Sequence, residues 1–315
     1  MSKKTINLIK IIFALLFIII FVWKIEEIAN VVSTGKSIVA GKIISLISQD
    51  ERNKEYDNID LSKYEPLGQE KDAWYSNRVV AHACGGIDGM VYSNSLEALE
   101  YSIKEGYKLI EVDLMQTADN EIILTHNLDT DAEGNVIIPK HDDFMNKKIN
   151  YVLSPMDVNM LLQIMKENKD IFIILDVKGG MEVYDLIVKN AKENNLEECL
   201  DRFIVQVYTL LDLSQYPPEF KHYLLTLYAL GQNDSKKIVQ YCLENDIHVV
   251  TMPGTWISCR NDIKYYEEYN IKVYVHTIND MDQMNNLFNN GVWGIYTDFI
   301  KPEYFESVIS EFKYE

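Results

Sequence analysis

Eight short apolar runs recur between residues 78 and 297, and helical patterns separate most of them. Few folds accommodate that rhythm. The strand-like runs are 78–82, 108–115, 171–178, 202–208, 222–228, 247–252, 271–277 and 292–297. Helical patterns fall at 95–104, 155–168, 182–194, 235–245 and 281–289. Alternating strand and helix predicts a parallel sheet, because parallel neighbours need a crossover between them. Eight such units predict an α/β chain closed into a TIM (β/α)8 barrel rather than an open doubly wound sheet. No GxGxxG follows the first run, which also argues against a dinucleotide-binding unit. One run breaks the rhythm. EIILT, at 121–125, follows the second run too closely for a crossover helix. It predicts an antiparallel hairpin with its turn at Asp119-Asn120, rising from the barrel mouth and carrying His126 back toward it. Residues 127–154 then form an insertion at the mouth.

The N-terminus carries a different signal. IIFALLFIIIFVW, Ile11 to Trp23, has no charge and no Gly, and extended back to Thr5 it is broken only by Lys10. That approaches the ~20 residues needed to cross a bilayer. Lys3, Lys4 and Lys10 precede or open the run, and Glu26 and Glu27 follow it. The positive-inside rule predicts a single-pass transmembrane anchor over 1–24, with a cytoplasmic N-terminus and an extracytoplasmic remainder. A cleaved signal peptide is the rival, but KIEEIAN is a poor cleavage site. Apolar positions every three or four residues predict an amphipathic helix over 25–50, and polar residues 50–77 read as a linker. The expected organisation is therefore an anchor at 1–24, a helix and linker at 25–77, and a barrel domain at 78–315.

The formal charge of −18 argues against nucleic acid as a partner. It leaves open a small phosphorylated substrate, whose charge a divalent metal and a lysine could meet locally. Cys84, Cys199, Cys242 and Cys259 form no CxxC and are expected to be unpaired, with a Cys242–Cys259 bridge as the alternative.

Chemistry gathers at the strand ends. His82 ends the first run. Glu111 and Asp113 lie two apart on the second, as do Asp176 and Lys178 on the third, so period two turns each pair to one side. His126 arrives on the hairpin. These six side chains are expected to converge on the C-terminal face of the barrel, where barrel enzymes keep their active sites. Glu111, Asp113 and Asp176 offer hard oxygen ligands for one divalent cation, Mg²⁺ or Ca²⁺, without which they would repel one another. The cation and Lys178 suit phosphate oxygens. Two histidines can divide the proton work, one deprotonating an attacking hydroxyl and the other protonating a leaving oxygen. Gln206, Tyr208, Thr251, Trp256 and His276 are candidate pocket-lining residues, and His141 is expected to be a solvated loop residue.

The ordered series resembles the glycerophosphodiester phosphodiesterase family. VVAHACGG (Val79–Gly86) is similar to its strand ending in His-Arg-Gly, and Ser93–Asn127 to its Asn-Thr, helix, Gly, Glu-x-Asp, turn and His-Asp series. ILDVK (Ile174–Lys178) resembles its Glu-x-Lys strand, and Val273–Asp298 its closing two strands. The resemblance implies a TIM barrel with His82 and His126 as the acid/base pair. It further implies Glu111, Asp113 and Asp176 as metal ligands and Lys178 as a phosphate contact. The implied reaction releases glycerol 3-phosphate and an alcohol from a glycerophosphodiester, or acts on a related (lyso)phospholipid head group. Four positions depart from the pattern: Ala83 stands where the family has Arg, Asp176 where it has Glu, and Tyr92-Ser93 where it has Pro-Glu. Asp-x-Lys is closer to the sphingomyelinase D-type enzymes, so a lyase reaction that forms a cyclic phosphate is one alternative. A non-catalytic barrel that binds a phosphorylated ligand is the other.

Overall fold

The computed structural model of the chain describes residues 59–69, 73–227, 235–255 and 263–305. The anchor expected at 1–24, the amphipathic helix at 25–50, Trp256, Cys259 and the end of the 222–228 run lie outside the described residues. No helix among the described residues is long and apolar enough to cross a membrane.

Among the described residues ten strands form one sheet: β1 (Val79–Ala81), β2 (Leu109–Gln116), β3 (Ile122–Leu124), β4 (Met156–Asp157), β5 (Phe172–Val177), β6 (Phe203–Val207), β7 (His222–Thr226), β8 (Val249–Pro253), β9 (Lys272–His276) and β10 (Gly294–Thr297). All but β3 and β4 pair in parallel, in the order β1-β10-β9-β8-β7-β6-β5-β2, and β2 pairs back onto β1 to close the ring. This is the expected eight-stranded barrel. The helices are α1 (Leu96–Lys104), α2 (His141–Met145), α3 (Val158–Glu167), α4 (Glu182–Glu193), α5 (Ser235–Glu244), α6 (Ile263–Glu268) and α7 (Met281–Asn289). Ser95, Asp157 and Asp280 cap α1, α3 and α7 by accepting a hydrogen bond from the backbone N–H three residues on. The helix expected from 155 starts at 158, because Met156 and Asp157 pair with β3 first. Between β6 and β7 the described connection is a single 3-10 turn, Leu213–Gln215.

The strands alternate between two apolar environments. Residues such as Ile110, Ile173, Val205, Val250 and Val273 face outward into one core with the apolar stripes of the helices. The opposite set faces the barrel axis: Val80, Leu109, Ile174, Ile204, Leu224, Val249, Tyr274 and Tyr296, one from each strand. Two residues further along, the inward positions become polar: His82, Glu111, Asp176, Gln206, Thr226, Thr251, His276 and Asp298. The barrel thus has an apolar waist beneath a polar rim.

Trp74 and Tyr75 seal the end opposite that rim, packing beneath the same inward layer. Tyr75 stacks on His248 at 4.8 Å. Its carbonyl accepts hydrogen bonds from the Tyr274 hydroxyl at 2.9 Å and from Trp293 Nε1 at 2.8 Å. Residues 59–69 also pack on the barrel, through Leu61 and through Asn270, which donates to the Leu67 carbonyl. The described part of the expected linker is therefore attached to the domain, because its few apolar residues find sites between the helices and under the barrel.

β1 is only three residues long, so it covers β2 as far as Ile110 and leaves the edge beyond open. β3 takes that edge, pairing Leu114 with Leu124 and Gln116 with Ile122 in the expected hairpin. Its turn places Asn120 at φ 66°, a conformation Asn tolerates. Cys84, Cys199 and Cys242 are buried free thiols, as expected.

Trp74→Ala should cost about 3–5 kcal/mol, because it leaves a cavity under the apolar waist. Urea unfolding checks this, and a variant as stable as the parent would show that the floor does not support the barrel.

Candidate active site

Each of the rim's acids is held by a donor from a neighbouring segment. β1 ends in a tight turn over His82–Cys84 in which Ala83 and Cys84 adopt positive φ, followed by Gly85 at φ 88°. Gly is required there, since a Cβ would sit 2.3 Å from Ser102 Oγ. The turn aims the Ala83 N–H at Glu111 Oε2, 2.6 Å away. Asn94 clasps Asp113 from both sides: its Nδ2 donates to Asp113 Oδ2 at 2.8 Å, and its Oδ1 accepts from the Asp113 N–H at 2.9 Å. Lys178 Nζ donates to Asp176 Oδ2 at 2.6 Å and lies 3.0 Å from Asp113 Oδ1. The Tyr208 hydroxyl donates to Asp176 Oδ1 and accepts from Gln206 Nε2. Gln206 and Tyr208 thus form a relay onto an acid, whereas the sequence suggested only that they line the pocket.

One oxygen from each of Glu111, Asp113 and Asp176 lies within 4.8 Å of the others, and all three residues are buried. Burial, followed by the charge of Asp113, pushes the Glu111 carboxyl well above its ordinary range. Asp176 is also raised, by burial first, even though Lys178 pulls the other way. Three clustered acids face one ammonium, so negative charge is left uncompensated. A hard divalent cation has the charge and the oxygen preference to balance it, and the donor set fits one.

The two histidines lie near the trio. His82 Nδ1 lies 2.9 Å from Asp298 Oδ1. Asp298 is itself held by Asn279, which donates from Nδ2 to Oδ2 at 2.6 Å and accepts from the Asp298 N–H. Burial opposes the charged form of His82, but the Asp298 hydrogen bond and the nearby Glu111 charge outweigh it and raise its pKa. The Thr125 N–H donates to the Asp113 carbonyl, so the hairpin delivers His126 beside the trio, near enough for its charge to act on Asp176. His126 Nδ1 is buried and makes no hydrogen bond. The ring of Tyr92 stands between the imidazoles, 4.7 Å from each centroid and edge-on to both.

The remaining expected residues sit as follows. His276 is on the rim, and burial, helped by the charge of His82, drives its pKa down to about 4, so it stays neutral. Thr251 is buried on the rim. His141 is not freely solvated: its Nε2 lies 2.9 Å from Asp157 Oδ2, which raises its pKa against a desolvation cost. Asp298, Asn279, Asn94 and Tyr92 were not among the candidates. Extending the period-two count from Tyr296 on the last strand would have found Asp298. Nothing local signals Asn279, Asn94 or Tyr92, since their partners lie on other strands.

The His82–Asp298 pair adds stability that is full below the ordinary histidine pKa of ~6.5 and is lost as pH rises through the raised folded value. Asp298→Asn should lower the His82 midpoint, as read by NMR titration of the imidazole. An unchanged midpoint would show that the pair does not hold the proton.

The family model described as "Glycerophosphoryl diester phosphodiesterase family" matches residues 85–153, which carry α1, Glu111, Asp113, the hairpin and His126. An uncharacterized protein of Bacillus subtilis, YqiK, is 24% identical over 239 residues, covering 70% of this chain and 95% of its own length. A glycerophosphodiester phosphodiesterase of Caldanaerobacter subterraneus is 22% identical over 239 residues, covering 70% and 93%. An Oleispira antarctica phosphodiesterase, solved in complex with the product sn-glycerol-3-phosphate, shares the fold with a TM-score of 0.58. It is 16% identical and covers 75% of this chain and 99% of that one. The closed barrel is thus the fold of this solved phosphodiesterase, and the part of the chain that matches the glycerophosphoryl diester phosphodiesterase family model is 85–153.

Proposed function

We propose that the protein hydrolyses glycerophosphodiesters, or related (lyso)phospholipid head groups, with His82 and His126 as its acid/base pair. The observation that supports this reading is a pair of imidazoles, one on each side of the Tyr92 ring, both near enough to three clustered carboxylates at the barrel mouth for charge to act between them. Glu111, Asp113 and Asp176 would hold one divalent cation, Mg²⁺ or Ca²⁺, which supplies Lewis-acid stabilisation of phosphoryl oxygens when bound. Lys178, which bridges Asp113 and Asp176, adds a second positive charge for the same oxygens. One imidazole takes the proton of the attacking water and the other returns one to the leaving oxygen. Asp298 fixes which nitrogen of His82 faces outward, leaving Nε2 for the substrate. The Asn94 clasp and the Ala83 N–H keep two acids in place before anything binds, which reduces reorganisation on binding. At position 83, where the resemblance leads one to expect an Arg contact, a backbone N–H holds Glu111 instead, and phosphate recognition rests on Lys178 and the cation.

For the rest of the chain we propose a single-pass anchor over 1–24 with a cytoplasmic N-terminus, a connecting helix and linker to 77, and a catalytic domain outside the cytoplasm. The apolar run and its flanking charges support this placement. Carbonate extraction of membranes and protease accessibility from the outer side check it. Release of the domain by carbonate, or its protection from external protease, would overturn it.

With Mg²⁺ or Ca²⁺ present, glycerophosphocholine should yield glycerol 3-phosphate and choline. EDTA should abolish this, and His82→Ala or His126→Ala should reduce kcat by about 10²–10⁴-fold. Phosphorus NMR of the products tests the bond chemistry, since a cyclic phosphate would replace hydrolysis with the lyase reaction. Metal binding with no turnover across a phosphodiester panel would reduce the protein to a binding barrel.

A further inference from the structure

Tyr92 fills the space that the proposed reaction needs. Its ring centroid lies 4.7 Å from that of His82 and 4.7 Å from that of His126. His126 arrives on the hairpin beyond β2, on one side of β1. On the other side the Tyr92 hydroxyl reaches the side chain of Thr277, which follows β9, two places round the barrel from β1. An in-line displacement puts the attacking and leaving oxygens on opposite sides of phosphorus. Each oxygen must come within about 3 Å of the imidazole that serves it. The phosphoryl group therefore belongs between the two imidazoles. An aromatic ring and a phosphoryl group cannot occupy that gap together.

The chain around Tyr92 fixes its flanks and leaves the residue itself little held. Ile87 and Met90 close a turn through reciprocal backbone hydrogen bonds of 3.0 and 2.8 Å. Asn94 is fixed by the Ala83 carbonyl and by its clasp on Asp113. Between these anchors no backbone–backbone hydrogen bond among the described residues holds Val91 or Tyr92. Tyr92 also sits at φ 57°, in the left-handed region that a bulky side chain disfavours. Return to a negative φ relieves that strain, so the backbone favours the ring's release. The contacts with two imidazoles and with Thr277 favour its retention. The residue is 43% exposed, so the way out leads directly into solvent. The family pattern has Pro here, and a ring that fixes φ near about −65° could not adopt this conformation.

From this opposition we infer that Tyr92 is a gate: it alternates between lying across the phosphoryl site, latched at Thr277, and swinging into solvent to admit a phosphorylated ligand. This rests on the proposed phosphodiesterase reading and adds a conformational step to it. The affinity observed for such a ligand is then the intrinsic affinity scaled by the fraction of molecules whose ring has swung out.

Calorimetry of the full chain with glycerol 3-phosphate, in the presence of Ca²⁺, tests the gate. Tyr92→Ala deletes the ring and its latch, and should bind at least about fivefold more tightly than the parent. Thr277→Val keeps the ring and removes only its hydroxyl partner, and should gain a smaller factor, about twofold. Equal or weaker binding by Tyr92→Ala overturns the inference, since the ring would then be a bystander or a ligand contact. A gain in Tyr92→Ala with none in Thr277→Val overturns it too, because the ring would be a fixed obstruction. So does an absence of binding in the parent and both variants, for the emptied gap would then admit no phosphoryl group. If Tyr92→Ala does not fold, Tyr92→Phe, which loses the hydroxyl alone, replaces it, and it must gain as Thr277→Val does. Turnover of glycerophosphocholine by the parent is scored apart. If turnover is absent while Tyr92→Ala gains affinity, the reaction fails and the gate stands. If turnover is present while the affinity is unchanged, the gate fails and the reaction stands.

Discussion

Three carboxylates brought within 4.8 Å of one another in a buried rim set the terms for everything around them. Such a cluster repels itself, and each acid would rather protonate than remain charged in a dry setting. The fold answers with separate supports. A backbone N–H from a left-handed turn holds Glu111, a two-armed amide holds Asp113, and an ammonium with a phenol holds Asp176. Each support comes from a different loop or strand, so the rim cannot be assembled until the barrel has closed. The supports bring one positive charge to three acids, which leaves an electrostatic demand for a cation.

That arrangement depends on strand length as much as on residue identity. Because β1 stops after three residues, its chain turns sharply enough to present the Ala83 N–H to Glu111. The same early stop exposes the upper edge of β2 to β3, and β3 is what returns His126 to the mouth. One short strand therefore places one histidine directly and the other indirectly. Asp298, at the end of the neighbouring β10, then orients the first.

Much of this was legible in the sequence, for a physical reason. Period-two alternation within a strand is a local property, so the inward sets Glu111/Asp113 and Asp176/Lys178 could be counted directly. The hairpin was equally readable, because three residues cannot span a crossover. What escaped was non-local. Asn94 and Asn279 look like ordinary loop polar residues until the barrel brings Asp113 and Asp298 to them. Gln206 and Tyr208 face the right way, but only the fold shows that they act on Asp176. Residues 59–69 read as a polar spacer because their contacts lie about two hundred positions away, at Tyr269 and Asn270. Their four or five apolar side chains form no periodic pattern by themselves.

The plugged floor gives the molecule a polarity. Trp74 and Tyr75 enter beneath the waist, so the polypeptide upstream of them leaves from the pole opposite the chemistry. A waist closed from below and a rim open above leave one way to the acids, so whatever reaches them must enter and depart through the same mouth.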